Sequence, residues 1–178
     1  ETFSVPIFLY DQSATRPERV KLADIRRGEF EGLALKMQNP EWKPDHGLSS
    51  PHPILGATAL GVRFFLIAFN IFLDTPELQI ARKIARHIRE SNGGMKGVQA
   101  KGYYLPQYGQ AQVSLNILDY RQAPLVQVMK KIIEEAHNDH VAVSHSELVG
   151  LIPQDALDEK ALPILKIKNW HSDLILKY

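Results

Sequence analysis

Apolar and polar positions along this chain fall into short stretches of distinct period. Thr2 to Tyr10 alternates and then turns continuously apolar, which predicts a strand with at least one buried face. Such a strand needs sheet neighbours, and no other strand candidate precedes residue 56. Asp11 to Thr15 is a polar turn; Pro17 then sits where a first helical turn tolerates it, with Thr15 near the cap. The predicted helix carries Val20, Ala23 and Ile25 on an apolar side and Glu18, Arg19, Asp24, Arg26 and Arg27 on a wet one. After Gly28 the helical spacing resumes through Phe30, Leu33 and Met37. Arg26, Arg27, Glu29 and Glu31 read as a solvated, self-paired face.

Residues 39–53 are a loop dense in Pro, Gly and Ser. Gly56 to Arg63 predicts a short strand, its Ala57, Ala59 and Gly61 small enough for another backbone to lie close. Phe64 to Leu73 predicts a buried strand, in which Asn70 needs a partner, either neighbouring backbone or a ligand. Asp74-Thr75-Pro76 starts a helix with Thr75 as cap, a stripe of Leu78, Ala81, Ile84, Ala85 and Ile88, and Asn92-Gly93-Gly94 as its end. Val98 to Leu105 and Gln110 to Asp119 predict strands joined by the hairpin loop Pro106 to Gly109. The second sets Gln112, Ser114 and Asn116 against Val113, Leu115 and Ile117, so its polar side is either a plain wet face or a wall for a ligand. Pro124 opens a second long helix with Leu125, Val128, Met129, Ile132, Ile133 and Ala136 inward. Val141 to Val149 is the last predicted strand, Pro153 to Leu157 a short helix, and Lys166 to Tyr178 an amphipathic terminal segment. Strand, helix, strand, strand, helix, strand from Gly56 to Gly150 predicts a ferredoxin-like split βαβ unit of the α+β class, an antiparallel sheet with both helices on one face.

Composition narrows the function. With 178 residues, 44% apolar and 23% charged, the chain can bury a real core as one domain or two small ones. A net charge of +1 argues against nucleic acid or an anionic membrane as the main partner. With no cysteine, disulfides, thiolate nucleophiles and zinc-thiolate sites are excluded, and no metal site is expected. No signal peptide is apparent and the longest apolar run is too short to span a bilayer, so a cytoplasmic protein is expected. An RNA-binding sheet would share the four-strand layout, but Tyr103 and Tyr104 point opposite ways and the charge is near zero.

Seven segments occur in a fixed order: Pro6–Tyr10 (P-x-[FL]-L-Y), Ile25–Glu31 (I-R-x-G-E-[FY]-E), Trp42–Gly47 (W-x-P-D-x-G), Gly56–Arg63 (G-A-T-x-x-G-x-R), Phe65–Asn70 (F-L-I-A-F-N), Ala111–Asn116 (A-Q-V-S-x-N) and Ser146–Pro153 (S-x-L-V-G-L-[IV]-P). In that order the chain resembles the formiminotransferase family, the transferase part of formiminotransferase-cyclodeaminase included. The resemblance implies two ferredoxin-like subdomains side by side. Residues 1–63 would be the end of the first, which is incomplete here, and residues 64–178 the second. It also implies transfer of a formimino group from N-formimidoyl-L-glutamate to N5 of tetrahydrofolate, a step of histidine degradation and one-carbon metabolism, with the folate as co-substrate and a homodimer as a possible assembly.

The implied folate-binding stretch falls on Gly47, Leu48, Ser49, Ser50, Pro51, His52, Pro53, Ile54, Leu55 and Gly56. Three positions depart from the family: Leu48 replaces its usual Pro, His46 an aromatic, and Phe72 an Asn. Attack on the formimino carbon needs a base and an acid. The family's histidine lies in an H-P-R-x-G-A segment that this sequence lacks, so no catalytic residue is assigned. Of seven histidines, His87, His137, His140, His145 and His171 are expected to be structural or wet; His46 and His52, in the loop, are the two worth testing. A short, non-catalytic folate-binding or interaction protein is the alternative.

Overall fold

The first apolar run becomes strand β1 (Ile7–Asp11) in the computed structural model, which describes residues 4–177. The start of that run, Thr2 and Phe3, lies outside the described residues. The neighbour of β1 is β2 (Thr58–Val62), parallel to it, with Ile7 opposite Thr58 and Asp11 opposite Val62. Parallel strands need a crossover. Here a 3-10 turn (Pro17–Arg19), α1 (Leu22–Arg26), α2 (Glu29–Lys36) and the long loop supply it. The chain divides into two units, Glu1–Arg63 and Phe64–Tyr178, each with its own core.

In the first unit Phe8, Ile25 and Met37 are buried, with Tyr10, Leu33, Trp42, Ala57 and Ala59 packed against them. Arg19, expected on a wet face, is 0% exposed. Its segment winds at three residues per turn instead of as an α-helix, which changes the side it faces. Burial of the charge is tolerable because acceptors meet it. The guanidinium donates to Asp45 Oδ2 and to the Glu41 carbonyl, both at 2.8 Å, and to the Lys43 carbonyl, and it lies 5.1 Å from the centre of the Phe8 ring. Thr15 caps nothing; its hydroxyl donates to Asp45. Phe30 is exposed, and so are Leu60 and Val62 on the outer side of β2. Nor does Gly61 make room for backbone: a Cβ there would sit 2.6 Å from the Tyr10 ring.

The second unit follows the predicted order: β3 (Ile67–Leu73), α3 (Leu78–Ile88), β4 (Val98–Leu105), β5 (Gln110–Ile117), α4 (Leu125–Asn138) and β6 (Val143–Val149). The sheet is antiparallel in the order β4-β5-β3-β6, the ferredoxin-like arrangement. Alternation puts Ile67, Phe69, Ile71 and Leu73 of β3 and Val113, Leu115 and Ile117 of β5 on one face, where the α3 stripe and Leu125, Val128, Met129, Ile132 and Ala136 of α4 cover them. Burying a side chain of this kind contributes about 1.5–3 kcal/mol, so this face dominates the unit's stability. α3 lies almost on the backbone of β4: a Cβ on Gly102 would be 2.4 Å from the Arg82 nitrogen.

Several boundaries differ from expectation. Phe64 and Phe65 precede β3 and are exposed, and Ile133 is at the solvent edge of α4. Thr75 is not the cap of α3, which starts two residues later than a Thr75 cap implies; its hydroxyl accepts from the Glu77 N–H at 3.2 Å. β6 is not the last strand. β7 (Ile152–Pro153) pairs with β8 (Ile175–Leu176), with the short α5 (Leu162–Leu165) between them, and the predicted helix at 153–157 is a 3-10 turn, Gln154–Ala156. Residues 166–169 run beside β6. The Ser146 N–H donates to the Lys166 carbonyl and the Lys168 N–H to that of Ser146, both at 2.9 Å, and the Asn169 amide pairs with both main-chain groups of Leu148. Among the described residues no helix is long and apolar enough to cross a membrane.

Candidate functional site

The loop between α2 and β2 is built in two parts, one tied down and one left free. Asn39 begins the first, its side chain accepting from the Glu41 N–H at 3.0 Å and so ordering the 3-10 turn Pro40–Trp42. The chain then runs along the outer edge of β1: the Ile7 N–H donates to the His46 carbonyl and the Asp45 N–H to the Ile7 carbonyl, each at 2.8 Å. Asp45 adds its side chain to the same edge, Oδ2 accepting from the Leu9 N–H at 2.7 Å and from Arg19, Oδ1 from Thr15. Burial alone would push this carboxyl up. The Leu9 N–H, the Thr15 hydroxyl and the Arg19 charge outweigh that and hold it below its ordinary value. Gly47 turns the chain at φ 87°, and a Cβ on it would be 2.7 Å from the Val5 carbonyl oxygen, so only glycine fits.

Beyond Gly47 the loop is free. Leu48, Ser49 and Ser50 are exposed, and among the described residues neither their main-chain N–H groups nor the two serine hydroxyls have a hydrogen-bond partner. Pro51 is half-buried and Pro53 exposed. His52 and Gly56 close a tight turn through reciprocal main-chain bonds of 2.7 and 2.8 Å. His52 Nδ1 sits inside that turn and accepts the N–H groups of Ile54 (3.2 Å) and Leu55 (3.0 Å). Ile54 is 82% exposed and Leu55 61%. Gly56 is buried at φ 66°, where a Cβ would meet the Phe30 ring at 2.9 Å. Past it, Leu55, Ala57 and Ala59 join Phe8, Phe30 and Leu33 around a cavity of about 250 Å³. Of the two histidines singled out, His52 is built into the turn through its ring and His46 through its main chain only.

The second unit offers a different surface. Gln112, Ser114 and Asn116 point away from the helices, and the register sets Lys101, Ser114, Asn70 and Glu147 in one row across the sheet. The next row is Tyr103, Gln112, Phe72 and His145. Phe72, which replaces the family asparagine, is buried on this face under His145 (rings stacked, 4.3 Å) and Tyr108 (edge-on, 5.6 Å). Burial, then the charge of Lys168, lower the His145 pKa. Asn70 therefore stands on the polar face, with Ser114 and Glu147 as its cross-strand neighbours. A larger cavity of about 450 Å³ in this unit is lined by Ile133, His137, His140, Val141, Val143 and Lys166, and no residue predicted for the site reaches it.

Sequence reasoning missed Arg19, Lys101, Glu147 and His145 as neighbours of these surfaces; only the strand alternation could have pointed to the last three. Among the described residues no group of three His, Asp or Glu side chains is placed to hold a metal ion. The free part of the loop offers donors and apolar contacts, a set suited to a flat ligand with polar edges.

Profiles of known families match nearly the whole length of the chain. The profile described as "Formiminotransferase domain, N-terminal subdomain" matches residues 1–63, and that described as "Formiminotransferase domain" matches residues 68–169. The chain is 43% identical over 166 residues to a glutamate formimidoyltransferase of Streptococcus pyogenes serotype M1, covering 93% of this chain and 56% of that protein. Against a glutamate formimidoyltransferase of Thermoplasma acidophilum it is 35% identical over 179 residues, 99% and 59% of the two chains. Against a formimidoyltransferase-cyclodeaminase of Mus musculus it is 42% identical over 167 residues, 90% and 31%. The chain thus spans little more than half the length of the single-function relatives and under a third of the bifunctional one.

Proposed function

This chain belongs to the formiminotransferase family, and we propose that it carries the folate loop of an enzyme that moves a formimino group from N-formimidoyl-L-glutamate to N5 of tetrahydrofolate. In that reaction N5 bonds to the formimino carbon, the bond from that carbon to the glutamate nitrogen breaks, and a proton passes to the departing amine. The products are 5-formimidoyltetrahydrofolate and L-glutamate. Gly47 to Gly56 would hold the folate, with Leu48, Ser49 and Ser50 supplying main-chain and hydroxyl donors to the pterin edge. This chain supplies the grip and no assigned acid or base. The observation that carries the reading is the loop itself: a ring of fixed contacts around Asp45 and His52 holding out a segment whose donors have no partner among the described residues.

Titration calorimetry with tetrahydrofolate, followed by a turnover assay with N-formimidoyl-L-glutamate, tests it. Binding that the change Ser49→Pro/Ser50→Pro weakens at least tenfold is expected. No heat from the parent chain would overturn the reading. The second reading is a non-catalytic folate-binding protein; binding without turnover by the protein in its full natural length would favour it.

A further inference from the structure

The imidazole of His52 is spoken for on one side only. Nδ1 accepts two main-chain N–H groups, from Ile54 at 3.2 Å and Leu55 at 3.0 Å, while Nε2 has no partner among the described residues. A ring nitrogen that accepts cannot carry a proton, and a neutral imidazole with Nδ1 bare must carry its hydrogen on Nε2. Its main chain is fixed as well, by the reciprocal bonds to Gly56 at 2.7 and 2.8 Å. The turn therefore selects one tautomer and one ring orientation, independently of any ligand.

We infer that His52 is a positioning and specificity residue with two separable jobs: Nδ1 clamps the 52–56 turn, and the clamp fixes Nε2–H as a neutral donor offered to an acceptor oxygen or nitrogen of the bound ligand. The second job rests on the folate reading; the first does not. A general-acid role is a poor match, since Nδ1 is already engaged as the acceptor of both turn N–H groups. Neither the hydrophobic neighbours nor Ser49 and Ser50 do the clamping: Ile54 and Leu55 give only their own N–H groups, and among the described residues neither of the two loop serine hydroxyls bonds to the turn.

Two substitutions separate the jobs. In His52→Asn the side-chain oxygen takes the place of Nδ1 and keeps the clamp but has nothing at Nε2. In His52→Gln the amide nitrogen reaches the Nε2 position and leaves the turn unclamped. Long-range proton–nitrogen NMR of the imidazole in the unliganded chain is expected to show the neutral Nε2–H tautomer; the Nδ1–H tautomer overturns the inference. Amide exchange at Ile54 and Leu55 is expected to stay near parental in His52→Asn and to accelerate in His52→Gln; unchanged exchange in His52→Gln overturns the clamp. Tetrahydrofolate affinity is expected to fall roughly tenfold in His52→Asn, the worth of one lost hydrogen bond; parental affinity there overturns the donor. Repeating the titration with tetrahydropterin locates the acceptor, on the ring if the loss persists and on the glutamate-bearing tail if it disappears. Should the parent chain bind neither compound, the folate reading fails, while the tautomer and exchange results still decide the clamp.

Discussion

Removing the Asp45 carboxylate is the sharpest test of how the first unit holds its loop. In Asp45→Ala the Leu9 N–H loses its acceptor on the edge of β1, Thr15 loses its partner, and Arg19 loses its carboxylate partner. The Asp45 and Arg19 side chains are 7% and 0% exposed, so water cannot replace the lost ion pair, whereas the exposed Thr15 hydroxyl can turn to solvent. Breaking a buried pair from one side costs about 3–5 kcal/mol. Arg19 keeps the Glu41 and Lys43 carbonyls, which places the expected loss at about 3 kcal/mol, the low end of that range. The chain has one tryptophan in each unit, Trp42 and Trp170, so urea unfolding followed by fluorescence in a Trp170→Phe background reports on the first unit alone. A loss below about 1 kcal/mol would refute the pairing argument. In the double variant with Arg19→Met the second change should add far less than it costs alone, because the orphaned charge is gone. The acid limb gives an independent check. Asp45 titrates below its ordinary 3.8 when folded, so its contribution is complete above that pH and disappears as the pH falls through the folded value. The Asp45→Ala variant should lose that limb.

Gly102→Ala should destabilise the second unit by at least about 2 kcal/mol in a Trp170-monitored melt, because its Cβ would meet α3 backbone at 2.4 Å. Gly32→Ala, in α2 with nothing within 4 Å of the new methyl, should instead stabilise by about 0.4–1 kcal/mol. Folding depresses the proton affinity of His145, so the unfolded chain binds the proton more tightly: stability is complete above the ordinary 6.5 and declines as the pH falls below it. His145→Phe keeps a ring over Phe72 and should flatten that part of the melting-temperature profile; an unchanged slope would assign it elsewhere. Asn169→Asp keeps the acceptor for the Leu148 N–H but places an oxygen against the Leu148 carbonyl, and should cost about 1–3 kcal/mol and raise amide exchange along residues 166–169.

The sheet and long helices of the second unit, β3 to β6, could be read from the sequence because their contacts repeat what a period encodes. Alternation in β5 and the 3.6-residue stripes of α3 and α4 each fix a buried face, and the hairpin Pro106–Gly109 fixes a neighbour. The first unit could not be read that way. β1 pairs in parallel with a strand some fifty residues on, a register no local signal announces. Helical spacing puts Arg19 on the wet side, but its segment is a 3-10 turn, and its partner Asp45 lies 26 residues away. Exposed Leu60 and Val62 defeat the pattern for the opposite reason: these apolar residues lie on the outer side of β2.

The same contrast divides the loop's motif into two kinds of residue. In W-K-P-D-H-G, Asp45 and Gly47 are explained by the fold alone, since one completes the edge of β1 and the other stands where any Cβ would strike the Val5 carbonyl. Gly56 is likewise confined by Phe30. These positions would be required with or without a ligand, so their presence in a family signature says nothing by itself about binding. The side chains of Leu48, Ser49, Ser50 and Ile54 and the Nε2 edge of His52 make no hydrogen bond or core contact among the described residues, yet their neighbours are held in place. Three glycine or carboxylate positions thus rigidify a loop whose donors and apolar tips are unpartnered among the described residues, and the folate proposal predicts that the rigidity serves binding. Substitutions at the fixed positions should therefore show first in urea unfolding, and those at the free positions in ligand titration with the unfolding curve unmoved.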